Sequence, residues 1–264
     1  MSGQAADDRS MTDAEIAAHD DQRDIGEAGW SSLRALYAEE FDGTVLDAGG
    51  GTGIYASALD AAGLDVVLAD VDECMLAVAR SRGLPAHRVL QADVTALPFA
   101  DASFDGAHVA HVLHVVDEWR RAIGEVARVV RPGGTVLLAL GGAHQSDPEL
   151  GEISARIDEE IGGMETVTLG QARGLNSPED ADHAFALAGI NRAAVRRIDG
   201  AHRRTLGQVI DRMLLNPYRS TASREVRARA AERITAWAQD RFGSLEQELD
   251  VPVGIEYRIY RRRS

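Results

Sequence analysis

The chain predicts an α/β fold with a doubly wound, mostly parallel sheet, and three observations carry that reading. Apolar runs of strand length alternate with helical runs from Val45 to Leu140. The connections between them are short and hold the glycine, proline and aspartate that break both periodicities. Three strand candidates end at an acid, Asp47, Asp70 and Asp93, and right-handed crossovers bring such ends to one edge of a parallel sheet.

In order, residues 12–41 read as helical, with Ile16, Ile25, Trp30, Leu33, Leu36, Tyr37 and Phe41 as intermittent apolar positions, and Asp42-Gly43 ends the segment. Val45-Leu46 starts the first strand. A helix follows from Ile54 to Ala62, closed by Gly63, and Asp65 to Asp70 is the second strand. Glu73 to Ser81 is a helix whose N-cap is Asp72, and Val89 to Asp93 is the third strand. Ala96 to Asp101 is a loop. Phe104 to Ala110 is the fourth strand, about Asp117 to Val130 a helix, Arg131-Pro132-Gly133-Gly134 a turn, and Thr135 to Leu140 the fifth strand. The rhythm then changes. Residues 141–175 are polar and glycine-dotted, with a helical core from Glu149 to Ile161. Ser177-Pro178-Glu179-Asp180 opens a helix with a serine cap, a first-turn proline and acids suited to the dipole. Residues 193–199 read as a strand, 205–215 and 222–241 as helices, and Val253 to Arg261 as a final antiparallel edge strand.

The expected organisation is a helical segment at 1–41, a ligand-binding core at 42–141, and a helical insertion with the completion of the sheet at 142–264, all in one domain. Hydrophobic residues make up 45% of the 264 positions, enough for a full core. No apolar run approaches the roughly 18–20 residues of a membrane span, and the polar N-terminus lacks the apolar stretch of a signal peptide. The expectation is a cytoplasmic protein with no membrane partner. The net charge of −14 argues against a general nucleic-acid binder. The acidic excess is upstream, because residues 191–264 hold 16 arginines against 9 acids. Every basic residue apart from histidine is arginine, which excludes a Schiff-base lysine. Cys74 stands alone and excludes an intrachain disulfide or a cysteine-based zinc site; a buried packing role is expected for it.

Val45-Leu46-Asp47-Ala48-Gly49-Gly50-Gly51-Thr52-Gly53 is the most informative stretch. Glycine lets a turn bend sharply and a ligand reach the backbone. Asp70 follows Gly51 at the spacing of an acid that takes the ribose hydroxyls of an adenosine. The dinucleotide pattern G-x-G-x-x-G fails at Ile54 when counted from Gly49, so the chain reads G-x-G-x-G.

That stretch resembles the first motif of class I S-adenosylmethionine-dependent methyltransferases. Asp70-Val71-Asp72 is similar to the second, and Gln91-Ala92-Asp93-Val94 with Leu97-Pro98-Phe99 and Ser103-Phe104-Asp105 to the third. His111-Val112-Leu113-His114 followed by Arg128 to Gly134 completes the series, over about residues 41–141. The nearest subgroup is the small-molecule enzymes similar to quinone C-methylases and natural-product methyltransferases. The resemblance implies a Rossmann-like seven-stranded sheet with an antiparallel last strand, N-terminal helices and a helical substrate cap. S-adenosylmethionine is the implied cofactor. Gly49 and Gly51 would admit its methionyl part and ribose, and Asp47 would order the loop and the methionyl ammonium. Asp70 would take the ribose hydroxyls, Val71 and Met75 would pack on adenine, and Asp93 and the Val94 amide would meet its polar edge. The Ala110 carbonyl would face the ammonium.

Methyl transfer needs alignment rather than a protein nucleophile. A histidine suits the removal of a proton from the acceptor, and His111, then His144, are the candidate bases. His108 is expected to pack between sheet and helix or to reach an edge. No metal is expected, because His108, His111 and His114 span a strand end and do not share one face. Other acceptor classes lack their signatures. No Asn/Asp-Pro-Pro-aromatic motif follows the fourth strand, no cysteine nucleophile is placed for cytosine, and neither paired glutamates for arginine nor metal-binding acids for catechols are present. A small-molecule acceptor remains, with a homo-oligomer possible. Trp30, Tyr37, Met164, Met213, Leu214, Tyr218 and Trp237 are candidate walls, and Arg203, Arg204 and Arg219 candidate anion contacts. A non-methylating enzyme on the same fold is the alternative, ahead of a nicotinamide-dependent oxidoreductase.

Overall fold

The computed structural model describes residues 13–21, 23–140, 148–164, 174–214 and 224–263. Where one helical segment was expected at the start there are two, α1 (Asp13–Asp21) and α2 (Gly26–Glu40). The break has a local cause. The Asp24 carboxylate accepts the Gly26 N–H at 3.0 Å and the Trp30 Nε1–H at 2.8 Å, and Gly26 stands at φ 71°, outside helical space.

The core then alternates as expected: β1 (Thr44–Ala48), α3 (Ile54–Ala61), β2 (Asp65–Asp70), α4 (Glu73–Ser81), β3 (Val89–Gln91), β4 (Phe104–Ala110), α5 (Trp119–Val129) and β5 (Val130–Ala139). Asp72 caps α4 by accepting the Cys74 N–H at 2.8 Å. Cys74 itself is half-buried rather than buried, because the inward face of α4 is made by Met75, Leu76 and Ala79. The expected turn at Arg131–Gly134 lies inside β5 as a bulge. Pairing jumps there from Phe104↔Val130 to Gly106↔Thr135.

The chain continues as α6 (Pro148–Met164), α7 (Pro178–Leu187), β6 (Ile190–Thr205), α8 (Leu206–Leu214), α9 (Arg224–Phe242) and β7 (Glu248–Arg262). Ser177 caps α7, its Oγ accepting the Asp180 N–H at 3.2 Å. Among the described residues seven strands form one sheet in the order β3-β2-β1-β4-β5-β7-β6. Strands β1 to β5 are parallel to one another, and β7 is antiparallel to both β5 and β6. The last strand is therefore antiparallel, as expected, but it is interior and not an edge. Ile259 and Tyr260 are consecutive and both buried, one in the core of each sheet face, which an edge strand facing water does not allow. The edge is β6.

One face of the sheet packs against α2 and α3, the other against α5 and α7. Strand β5 meets β7 only over Thr135↔Arg261 to Leu138↔Arg258, whereas β6 and β7 pair from Ile190↔Arg262 to Thr205↔Glu248. The hairpin thus runs on past the carboxyl end of β5 as a two-stranded ribbon with α8 and α9 inserted between its strands. Those two helices share a third apolar core with α6, centred on Ile153, Ile157, Ile210, Ala230 and Ile234. Among the described residues no helix is long and apolar enough to cross a membrane.

Candidate functional site

A cavity of about 600 Å³ opens at the carboxyl ends of β1, β2, β3 and β4. Its floor is the turn after β1. Gly49 is held by the Ala69 carbonyl, which accepts its N–H at 2.7 Å, and its φ of 72° belongs to left-handed space. A Cβ at Gly49 would stand 2.5 Å from Val112 Cγ2. Gly51, at φ 53°, differs: an added Cβ would find only His19 at 3.8 Å and Asp70 at 4.0 Å, so its bare backbone faces open cavity. Gly53 is a packing glycine, 3.0 Å from Ala79 Cβ by the same measure.

Asp70 stands across the turn at the end of β2. Its Oδ2 accepts the Gly51 N–H at 2.8 Å and its Oδ1 the Asp72 N–H at 2.9 Å, which leaves lone pairs facing the cavity. Burial pushes its pKa up, against the pull of these two backbone hydrogen bonds. Asp93 is exposed at the opposite wall. Its Oδ1 accepts both the amide and the hydroxyl of Thr95 at 2.8 Å, and these bonds hold its pKa down. Val71, Met75, Val94 and Ala110 complete the wall.

Gly49, Gly51, Asp70, Val71, Met75, Asp93, Val94, Ala110 and His111 thus line one cavity. Asp47 does not line it. Its side chain is 1% exposed and turns into the core beneath the turn, where Oδ1 accepts the His108 Nδ1–H at 2.8 Å. The three strand-end acids therefore do not form one row; β1 alternation points Asp47 at the face covered by α2 and α3. His144 lies outside the described residues.

His111 sits just past β4 at φ 55°, with Nε2 3.1 Å from the Tyr55 hydroxyl and its ring stacked on Tyr55 at 5.8 Å. Burial first, then the Arg23 charge, lowers its pKa to about 3, so the imidazole is neutral at pH 7. The same two causes lower His114. His19 and Arg23, at the end of α1 and just beyond it, close the cavity from above. Asp20 anchors that segment by accepting hydrogen bonds from Thr52 of the turn and from Arg82.

Residues 46–138 match the family described as "Methyltransferase domain". Over 96 residues the chain is 43% identical to a demethylmenaquinone methyltransferase of Clavibacter sepedonicus, covering 36% of this chain and 39% of that one. A malonyl-[acyl-carrier protein] O-methyltransferase of Pectobacterium atrosepticum is 36% identical over 133 residues, covering 50% of this chain and 49% of that one. The chain thus spans half or less of the length of these relatives. The core is thus similar to methyltransferase domains over residues 46–138. Its fold extends well beyond the matched stretch. The solved structure of a Bacillus halodurans protein superposes on 89% of this chain and 99% of its own length, with a TM-score of 0.56 at 18% identity.

Several features of this core carry no signal in the sequence. Tyr55, His19 and Arg23 line the cavity, as do Val112, Val115 and Val116 just after β4. Val115 is 63% exposed, an apolar side chain at the cavity mouth. Tyr37, expected as a wall, is instead fully buried and within hydrogen-bond distance of His108. Trp30 faces a second, shallower depression beside α3. Met213 and Leu214 are buried in the third core and Trp237 packs against it. No described residue of α6, α8 or α9 lines the cavity. Arg203 pairs with Glu248, and Arg204 with Asp21. Tyr218, Arg219 and the Met164 side chain lie outside the described residues. Nothing in a helix's apolar periodicity marks one of its residues as facing a cavity.

Proposed function

We propose that the protein transfers a methyl group from S-adenosylmethionine to a small-molecule acceptor. The observation that carries this reading is the convergence of the Gly49–Gly51 turn, Asp70 and Asp93 on one cavity of a size suited to a nucleoside cofactor. S-adenosylmethionine supplies a methyl carried on a sulfonium, open to in-line displacement by the acceptor atom.

The chain's own part is binding and alignment. Gly51 leaves room for the cofactor against the backbone, and the Asp70 lone pairs fit two ribose hydroxyls. Val71 and Met75 offer an apolar face to adenine, beside Asp93 and the Val94 amide. The Ala110 carbonyl would lie on the methionyl side, with the buried Asp47 side chain beneath the turn. His111 is the candidate catalytic histidine. Being neutral, it can accept a proton from the acceptor, and a negatively charged acceptor beside it raises its basicity from the low value of the empty cavity. His144 remains a second candidate from the sequence alone. Val112, Val115 and Val116 suit an apolar acceptor, in keeping with the quinone substrate in the name of one relative. The helical cap would then restrict entry rather than form the cofactor's seat.

The test is transfer of labelled methyl from S-adenosylmethionine onto a metabolite extract, with products identified by mass spectrometry. Label on a small molecule is expected. Label on nucleic acid or protein would overturn the acceptor class, and no label with intact cofactor binding would favour the non-methylating alternative.

A further inference from the structure

His108 is a polar residue in the middle of an apolar strand, fully buried, and no part of the reading above uses it. It joins four groups from four elements. Nδ1 donates to Asp47 of β1 at 2.8 Å. Nε2 is 3.0 Å from the Tyr37 hydroxyl of α2 and 3.1 Å from the Tyr257 hydroxyl of β7, and these hydroxyls are 3.2 Å apart. The Tyr55 ring of α3 closes the remaining side at 5.3 Å. Burial raises the pKa of both Tyr37 and Tyr257 well above the ordinary phenol value, so both hydroxyls keep their protons. With one ring nitrogen given to a carboxylate and the other facing two protonated hydroxyls, the ring cannot flip without losing bonds.

The network satisfies one oxygen of Asp47 and leaves the other. Asp47 Oδ2 is buried and has no hydrogen-bond partner among the described residues. It lies directly under the cavity floor, 2.6 Å from where a Cβ on Gly50 would stand. A buried carboxylate oxygen without a partner is costly, and a cation arriving above the turn relieves that cost.

We propose that His108, backed by the Tyr37–Tyr257 hydroxyl pair, is a positioning residue. It fixes the Asp47 carboxylate so that its second oxygen faces the glycine turn, and this makes the cavity floor selective for a ligand that carries an ammonium group. The inference rests on the cofactor reading above and adds to it the device that aims the acid.

Calorimetric titration of the full chain tests it with two ligands: S-adenosylhomocysteine, which has the amino-acid ammonium, and 5′-methylthioadenosine, which has the same nucleoside without it. His108→Leu is expected to weaken S-adenosylhomocysteine binding by about tenfold, the worth of one hydrogen bond to a charge, and to leave methylthioadenosine binding unchanged. His108→Asn, whose amide nitrogen replaces Nδ1 as donor, is expected to restore binding to within about threefold. Equal loss for both ligands, no loss in the leucine variant, or no rescue by asparagine would each overturn the proposal. If His108→Leu does not fold, the double variant Tyr37→Phe/Tyr257→Phe keeps the ring volumes. It should weaken S-adenosylhomocysteine alone by about threefold; a change in both ligands or in neither overturns the proposal. Failure of the wild-type chain to bind either ligand would instead bring down the cofactor reading, and this inference with it.

Discussion

The carboxyl edge of the sheet and the helical unit of α6, α8 and α9 are built on different principles. At the edge, backbone does most of the work. Two amides of the turn are tied to the Ala69 carbonyl, Asp70 is tied to Gly51 and Asp72, and positive φ angles hold the turn open. In the cap, α6, α8 and α9 are held by an apolar core of their own, hung on the ribbon of β6 and β7. Arg204 of β6 and Arg212 of α8 reach α1 through ion pairs with Asp21. The contrast teaches that the cavity is lined from the sheet edge and α1, whereas α6, α8 and α9 rest on a separate apolar core.

The sharpest way to break this comparison is to damage the cap alone. Ile157 is fully buried in the third core, so Ile157→Ala should cost about 2–4 kcal/mol of stability by chemical denaturation. S-adenosylmethionine affinity should stay unchanged at a temperature where the variant is folded. A matching loss of affinity would show the two regions to be one cooperative site. The converse variant is Asp70→Asn. It should lower cofactor affinity by about 10- to 100-fold in calorimetry with a melting temperature close to that of the wild type.

A smaller effect separates the two regions by pH. The native His111 pKa of about 3 lies below the roughly 6.5 of an unfolded histidine. Between those values the unfolded chain binds a proton that the native chain refuses, so stability present above pH 6.5 is lost as pH falls toward 3. His19 and His114 act in the same direction, while the raised pKa of Asp70 opposes them. His111→Asn, a residue that tolerates the left-handed φ, should flatten the fall in melting temperature between pH 7.5 and 5. An unaltered slope would contradict the burial of that ring. The smallest effect expected is for Asp20→Ala, which frees the α1 segment from Thr52 and Arg82. Its cofactor affinity should fall by no more than about threefold, as for a surface tie.

Strands β1 to β5 were legible because each is a short apolar run between glycine or proline breaks, and the turn at Gly49–Gly53 because its glycines have no other use. The ribbon was not. Strand β6 is largely exposed and carries arginine at Arg192, Arg196, Arg197, Arg203 and Arg204, so no apolar alternation marks its length. The interior place of β7 was hidden in plain view: Ile259-Tyr260 is apolar on two successive positions, the mark of a strand covered on both faces. The His108 network could not be read at all, since Tyr37 and Tyr257 are separated by 220 residues of chain and meet only in the fold. The legible part is local: Asp47 is the one ionisable residue of β1, and His108 stands between Ala107 and Val109 in β4.

The central claim is that this sheet edge is a seat for S-adenosylmethionine. Calorimetric titration of the full chain with S-adenosylmethionine and, separately, with NAD tests it most directly. The account predicts saturable binding of S-adenosylmethionine that is weakened in Asp70→Asn, and no binding of NAD. Binding of NAD with none of S-adenosylmethionine would contradict it.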